Sequence, residues 1–175
     1  NLYCQSNKLK SIHLENLPSL EGFLCSYNQL ELMHLKDLPS LESILCEFNK
    51  LTYLQLNDLP KLELLSCQEN IIESLVFENL PNLFYLICDN NELVEIIFKG
   101  SAYYYFPGDN FSFFNNPTLK YICCKEEWIN PMKSKVLNYN YKNVEVNSYC
   151  SFVPFSKFYI VKGKNSFHLF SDVST

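Results

Sequence analysis

The sequence predicts a right-handed solenoid that is mainly β: a parallel sheet of short strands, a strand-like or 3₁₀ back side, and a small helix-plus-strand cap at the carboxyl end. Two observations predict this fold. A 21-residue repeat runs through the first 100 residues without a slip, and a fixed period of this length is typical of solenoids. Within each repeat, apolar residues alternate with polar ones over short stretches, as in strands that bury one face.

A cysteine, and an asparagine three residues after it, mark every repeat. The repeat unit is L-x-x-L-x-C-x-x-N-x-L-x-x-L-x-L-x-[DN]-L-P-x, and its first half is the leucine-rich-repeat signature with cysteine at the third core position. The two columns are Cys4, Cys25, Cys46, Cys67 and Cys88, and Asn7, Asn28, Asn49, Asn70 and Asn91.

The first half of the unit should form one short strand whose alternate side chains point into the coil. The five thiols should therefore stack in the interior as small apolar groups. We expect free thiols, because side chains aligned along one sheet rarely offer the torsion of a disulfide. A metal ladder is disfavoured, since no histidine shares that face. Each asparagine should turn the chain and hydrogen-bond backbone groups that the turn leaves unpaired.

The second half of the unit, as in LTYLQL at 51–56, is also extended and alternating. Leu51, Leu54 and Leu56 should face inward, and Tyr53 and Gln55 outward. A 21-residue coil leaves no room for an α-helix on its back side.

The register of the repeat breaks after Gly100. An aromatic-rich insert at 101–116 is expected either to form a hairpin over the last coils or to grip a ligand. The L-x-x-L-x-C pattern then resumes at Leu119, Ile122 and Cys124, which predicts that 117–150 contains the last rung and the cap.

The predicted cap consists of a helix and a strand, which would shield the open end of the core. In WINPMKSKVLNYN, Asn130 can cap a helix and Pro131 suits its first position. Met132, Val136 and Leu137 should share the buried face. NVEVNSYC follows as a strand that ends at Cys150.

The cysteine ladder on a 21-residue unit resembles that of internalin-like bacterial adhesins. FNNPTLKYIC followed by NVEVNSYCSFVP resembles the end of secreted leucine-rich-repeat proteins of flavobacteria and their relatives. This resemblance covers residues 1–160 and implies export to the cell surface and a role in adhesion or protein recognition. The sequence departs from the family's pattern after Pro154, so 151–175 is expected to be a tail or the start of a following β region.

The resemblance also implies a disulfide between Cys123 and Cys150 that ties the cap to the last rung. Cys124 would then be the sixth thiol of the ladder. Alternation agrees with this choice, because Cys123 should point outward from the sheet and Cys124 inward.

The outward positions of the front strands form the surface on which leucine-rich repeats usually bind partners. Several of these residues are apolar although they should not face the core, which indicates an interaction surface. The alternative is a sheet face that binds nothing, or one that the chain's own tail covers. The candidate binding residues are Leu24, Tyr27, Leu45, Glu47, Phe48, Leu64, Gln68, Tyr85, Ile87 and Asp89.

Composition narrows the function classes. The net charge is −5 and all 14 basic residues are lysines, which disfavours nucleic acid as a partner. No apolar stretch approaches the ~18 residues of a membrane span. The sequence enters in mid-repeat at Asn1 without a signal peptide, so we interpret it as an amino-terminally truncated part of a longer array.

No catalytic constellation, cofactor site or metal site is predicted. The favoured hypothesis is a non-enzymatic extracellular module that binds a protein or glycan on a host or environmental surface. One alternative is a polysaccharide-acting enzyme of the parallel β-helix class, whose coils are of similar length. The other is a structural spacer in a cell-surface protein.

Overall fold

The structure, a computed structural model, describes residues 1–56, 58–99 and 110–150, together with the backbone of two further strands at 158–162 and 167–171. Numbered along the chain, the strands are β1 (Leu2–Tyr3), β2 (Ser11–Glu15), β3 (Gly22–Leu24), β4 (Leu32–Lys36), β5 (Ser43–Leu45), β6 (Leu64–Ser66), β7 (Ser74–Glu78), β8 (Tyr85–Ile87), β9 (Glu95–Lys99), β10 (Phe111–Ser112), β11 (Tyr121–Cys123), β12 (Glu145–Asn147), β13 (Phe158–Lys162) and β14 (Phe167–Ser171).

The predicted parallel β solenoid is confirmed. A front sheet of six strands has the order β1-β3-β5-β6-β8-β10, and every neighbouring pair is parallel. The back side is also made of parallel strands, in one pair (β2-β4) and one group of four (β7-β9-β11-β12). Strands β13 and β14 pair antiparallel with each other.

The back sheet is split at the third coil. Residues 53–56 form no strand there, yet Leu54 and Leu56 are buried and Tyr53 and Gln55 are exposed. The predicted inward and outward orientations of these side chains are therefore confirmed, although the segment forms no β-ladder.

The thiols of the repeats form a row in the interior. Cys25, Cys46, Cys67 and Cys88 are fully buried, and Cys4 in the first coil is half-buried. Burial raises the pKa of all five thiols. They therefore remain protonated at neutral pH. A protonated thiol is unreactive, since the thiolate is the nucleophile, and it packs as a small apolar group.

Each asparagine of the repeat joins two coils. The amide nitrogen of Asn49 donates to the carbonyl oxygens of Cys25 in the preceding coil (3.1 Å) and Cys46 in its own (3.0 Å). Its side-chain oxygen accepts from the backbone N–H of Leu30, also in the preceding coil (2.9 Å). The same three bonds recur in the neighbouring coils, so buried backbone groups at the turn are paired between coils.

Two residues in each of the first four coils have a left-handed backbone, with φ between 54° and 59°. One directly precedes the asparagine of the repeat, and the other lies at the end of the back strand. The second position is occupied by Asn16, Asp37, Asp58 and Asn79, and Asn and Asp are the non-glycine residues that tolerate this conformation best.

The sixth front strand corrects the predicted end of the repeat. Phe111–Ser112 pairs with β8, and Asn116 hydrogen-bonds to the carbonyls of Cys88 and Phe113 as the repeat asparagines do. Phe113 therefore stands where a sixth cysteine was expected, and only residues 101–109 of the predicted insert lie outside the described residues.

Cys124 is not the sixth ladder thiol. The preceding residue, Cys123, pairs with Ile97 in the back sheet, which brings Cys124 to the level of Phe98 rather than of Cys88. Cys124 is buried in the main core, and burial raises its pKa to about 11. The isoleucine and two cysteines at 122–124 imitate the front-strand pattern but belong to the back sheet.

The disulfide implied by the resemblance is present between Cys123 and Cys150, whose Cα atoms are 5.2 Å apart. Cys123 lies on the outer side of the back sheet, in a small cluster with Ile97 and Tyr121. The hydroxyl of Tyr121 donates to the side-chain oxygen of Asn147 (2.8 Å) and lies 3.2 Å from the carbonyl oxygen of Tyr149. The bridge and these bonds fasten the segment after β12 onto the sheet.

The cap helix α1 spans Ile129–Asn138 and follows a 3₁₀ turn at Glu126–Trp128. Met132 and Val136 are buried against the core, as predicted. Leu137 is 71% exposed, because it lies five residues from Met132 and so points away from the buried face.

The predicted start of the helix is wrong. Residue Trp128 occupies the N-cap without a side-chain capping bond, and its ring packs edge-on against Phe98 with centroids 6.2 Å apart. Asn130 and Pro131 lie in the first turn. Proline is tolerated there because the first backbone N–H groups of a helix have no intrahelical partner.

Side chains of the cap cover the free edge of β10. Lys135 donates to the carbonyl of Phe111. The hydroxyl of Tyr141 donates to the carbonyl of Phe113 and accepts from the backbone N–H of Asn116, each at 2.7 Å. The open edge of the front sheet is thereby protected from pairing with another strand.

Candidate recognition surface

A row of aligned apolar side chains runs along the middle of the outward face of the front sheet. Leu24 pairs with Leu45, Leu45 with Ser66, and Ser66 with Ile87. The three apolar members are half-buried. The predicted stripe is thus present as a row, but Ser66 interrupts it and neighbouring side chains cover part of it.

The first outward column grows in size toward the carboxyl end. In register it contains Gly22, Ser43, Leu64 and Tyr85. Leu64 and Tyr85 are half-buried. They add apolar surface beside Ile87, so the apolar character of the sheet face increases toward the last coils.

The polar column that borders these rows is largely engaged within the protein. Gln68 accepts from the hydroxyl of Ser66 (2.7 Å), and Asp89 accepts from the backbone N–H of Phe114 (2.7 Å). Glu47 differs, because its Oε2 atom is buried and has no hydrogen-bond partner in the described part of the chain. Glu47 is the member of the three with a buried acceptor that lacks a partner.

An exposed aromatic pair lies at the turn after the front strands, along one edge of this face. The rings of Tyr27 and Phe48 stack with centroids 4.4 Å apart and an interplanar angle of 9°. Tyr27 is 55% and Phe48 40% exposed. Both residues have a left-handed backbone, with φ of 57° and 55°.

The backbone at these two residues is energetically unfavourable. A left-handed conformation costs a residue with a bulky side chain about 1 kcal/mol or more. The stack between the rings returns a comparable amount, about 1 kcal/mol, and each side chain still keeps a large exposed fraction. Exposed aromatic side chains on a strained backbone are typical of recognition sites.

Toward the carboxyl end, the same column of left-handed residues becomes polar. Asn115 donates to the side chain of Asn90 (2.7 Å), and Asn90 donates to the carboxylate of Glu69 (2.8 Å). This chain of hydrogen bonds was not predicted from the sequence. It could have been found from the residues that directly precede the repeat asparagines. These residues, which include Tyr27 and Phe48, share one position of the repeat and therefore line up along one edge of the front sheet.

Two concave regions flank the repeats. A groove of about 690 Å³ follows the second left-handed turn of the coils, lined by asparagine, aspartate and proline residues of the repeat. A cavity of about 610 Å³ lies at the carboxyl end, between residues 114–120 and 139–144. Their volumes fall in the range of small-molecule sites.

A histidine pair lies on the outer face of the back sheet. The rings of His13 and His34 are 4.4 Å apart, and Nε2 of His13 lies 3.2 Å from the carboxylate of Glu15. The hydrogen bond from Lys36, aided by His13, lowers the pKa of Glu15. Within the described residues, no group of three or more His, Cys, Asp or Glu side chains is arranged to hold a metal ion.

No family model, curated protein or solved structure matches this chain. In the part of the chain that the structure describes, no helix has the length and hydropathy to cross a membrane.

Proposed function

We propose that this chain is a leucine-rich-repeat module without catalytic activity that binds a protein or glycan on a host or environmental surface. The binding face consists of the front-sheet rows and the edge that carries Tyr27 and Phe48. The observation that carries the proposal is this stacked aromatic pair, which is exposed and held on a left-handed backbone.

The surrounding surface supports a recognition role. Aromatic anchors beside half-buried apolar side chains and a polar border are the arrangement of many protein interfaces. Parallel strands stacked in register make this face rigid and extended, so a ligand would lose little affinity to reordering of the site.

An exported location is part of the proposal. The Cys123–Cys150 bridge supports it, because disulfides persist mainly in oxidising compartments. The six remaining cysteines do not oppose it: four repeat thiols and Cys124 are buried in the core, and Cys4 is half-buried.

The test is a binding screen with the chain immobilised and a panel of extracellular matrix proteins and uncharged plant, fungal and bacterial polysaccharides as probes. For each probe that binds, we expect the double variant Tyr27→Asn/Phe48→Asn to weaken binding at least tenfold. Asparagine suits the left-handed backbone, so the fold should persist.

The matched control is Tyr53→Asn, which removes an aromatic side chain of 59% exposure from the back side. It should leave binding unchanged. Equal affinities for the double variant and the unmodified chain would exclude the aromatic pair from the site. A chain that binds none of the probes would instead favour a spacer role.

A further inference from the structure

The cavity at the carboxyl end has the properties of a preformed ligand site. Its two walls, residues 114–120 and 139–144, are separated in sequence but fixed to each other by the hydroxyl of Tyr141, which bonds to Phe113 and Asn116 at 2.7 Å. The hydroxyl of Tyr139 lies 3.1 Å from that of Ser112. A site held in this way needs little ordering when a ligand enters.

Each wall of the cavity contributes an aromatic ring. The rings of Phe114 and Tyr139 meet edge to face with centroids 5.5 Å apart, and Tyr139 packs in the same manner on the buried Phe113 at 5.1 Å. Phe114 itself is 51% exposed. The packing fixes the orientation of Tyr139, while Phe114 keeps a large part of its ring available for contact with a ligand.

The charge of the cavity is opposite to that of the chain. Lys120 and Lys142 line it, no acidic side chain does, and the whole chain carries a net charge of −5. Neither lysine forms a salt bridge among the described residues. The carboxylate of nearby Glu145 accepts a hydrogen bond from Asn147 at 2.7 Å and does not line the cavity. An anionic ligand is therefore favoured electrostatically.

Side-chain amides complete the lining. Asn140 and Asn143 line the cavity, are exposed and form no side-chain hydrogen bond among the described residues. The oxygen of Asn115 is also unused, since only its nitrogen is engaged, with Asn90. An amide both donates and accepts, so such groups suit a ligand rich in hydroxyls.

We propose that this cavity binds a carboxylate-bearing sugar, such as one uronic acid unit of an acidic polysaccharide. The apolar face of the sugar ring would lie on Phe114 and Tyr139, its hydroxyls would bond to the asparagines, and its carboxylate would meet Lys120 and Lys142. An acidic peptide fits less well, because the carbonyls of Phe111 and Phe113 on the adjacent strand edge are already bonded and leave no edge for strand addition.

The experiment is a calorimetric titration of the whole chain with trigalacturonate, its methyl ester and triglutamate. We expect the methyl ester to bind at least tenfold more weakly than the acid, and binding of the acid to weaken as salt is added. Triglutamate should bind at least tenfold more weakly than trigalacturonate.

Two variants assign the site. Phe114→Ala and the double variant Lys120→Gln/Lys142→Gln should each weaken trigalacturonate binding at least tenfold. The double variant Lys10→Gln/Lys61→Gln removes the same charge from two exposed lysines of the repeats and should change nothing. The thermal unfolding midpoint of each variant verifies that it is folded.

Three results would overturn the inference: no heat of binding with trigalacturonate, equal affinities for the acid and its ester, or full binding by Phe114→Ala. If triglutamate bound as tightly as trigalacturonate, the cavity would be a general anion site and not a sugar site. The Tyr27→Asn/Phe48→Asn variant should bind trigalacturonate normally, so a failure here is distinguishable from a failure of the proposed repeat-face function.

Discussion

The side-chain amide of Asn70 donates a hydrogen bond of 3.1 Å to the carbonyl oxygen of Cys46, one coil nearer the amino terminus. Asn70 also donates to Cys67 in its own coil and accepts from the backbone N–H of Leu51 (2.9 Å). One buried side chain thus links two coils through both of its polar ends.

We expect Asn70→Ala to lower the free energy of unfolding by about 2–4 kcal/mol. The variant loses the hydrogen bonds to the carbonyls of Cys46, Cys67 and Gln68 and leaves the buried N–H of Leu51 without its partner. Asn70→Asp should be at least as destabilising, because a carboxylate cannot donate to these carbonyls and is costly to bury. Urea denaturation of each variant measures the change.

Asn7→Ala is the matched control. Asn7 is exposed, and its amide contacts only Cys4 and Gln5 within the first coil. Its replacement should change the free energy of unfolding by less than about 1 kcal/mol. Equal losses for the Asn7 and Asn70 variants would show that bonds between coils are not what the asparagine column contributes.

The buried thiols should make the protein sensitive to alkaline pH. Burial raises the pKa of Cys46, Cys67 and Cys88 well above the ordinary value. Above about pH 8.5 the unfolded chain loses these protons while the folded chain keeps them. Stability is therefore fully present below that pH and falls as pH rises, by up to about 1.4 kcal/mol per pH unit for each thiol.

Urea midpoints at pH 8 and pH 10 measure this slope. The double variant Cys67→Ala/Cys88→Ala should lose less stability between the two pH values than the unmodified chain does. Cys4→Ala, which removes a half-buried thiol, should reduce the slope less. An unchanged slope in the double variant would mean that other groups cause the alkaline loss.

The repeats could be predicted from the sequence because every coil sets the same constraints. A leucine, a cysteine and an asparagine recur at fixed positions, and stacking requires each side chain to match its equivalent one coil away. The faces of residues 51–56 followed from alternation alone, even though no strand forms there. The 21-residue period and the alternation within it were therefore sufficient to predict the front and the back side of the solenoid.

The end of the repeat could not be predicted in the same way, because residue identity changes there. Phe111 and Phe113 replace the leucine and cysteine of the front strand, while Cys124 supplies a misleading cysteine in the back sheet. Asn116 was the better marker, since the bonding geometry of the turn demands an amide. The cap cavity joins two segments, residues 114–120 and 139–144, that are not related by the repeat period.

Removing the Cys123–Cys150 bridge should destabilise the cap. The two residues are 27 apart in sequence, and a cross-link over a loop of that length is expected to stabilise by about 3.5 kcal/mol. Cys150→Ser should lower the thermal unfolding midpoint, and dithiothreitol should lower that of the unmodified chain by a similar amount. An equal effect of dithiothreitol on Cys150→Ser would show that it acts elsewhere.

Replacing the exposed aromatic pair should cost little stability even though we expect it to weaken binding at least tenfold. In Tyr27→Asn/Phe48→Asn the ring stack is lost, at about 1 kcal/mol, while the left-handed backbone becomes easier to adopt at two positions. The two effects oppose each other, so we expect the free energy of unfolding to stay within about 1 kcal/mol of that of the unmodified chain, as measured in urea.

The opposite substitution provides the control. Asn90 has the same backbone conformation, with φ of 53°, and it is bonded to both Glu69 and Asn115. Asn90→Phe places an aromatic ring on that backbone without a stacking partner and removes two hydrogen bonds, so it should lower stability by about 2 kcal/mol. A stability loss above 2 kcal/mol in the Tyr27 and Phe48 double variant would mean that the pair serves the fold, and that its exposure is not a signature of ligand binding.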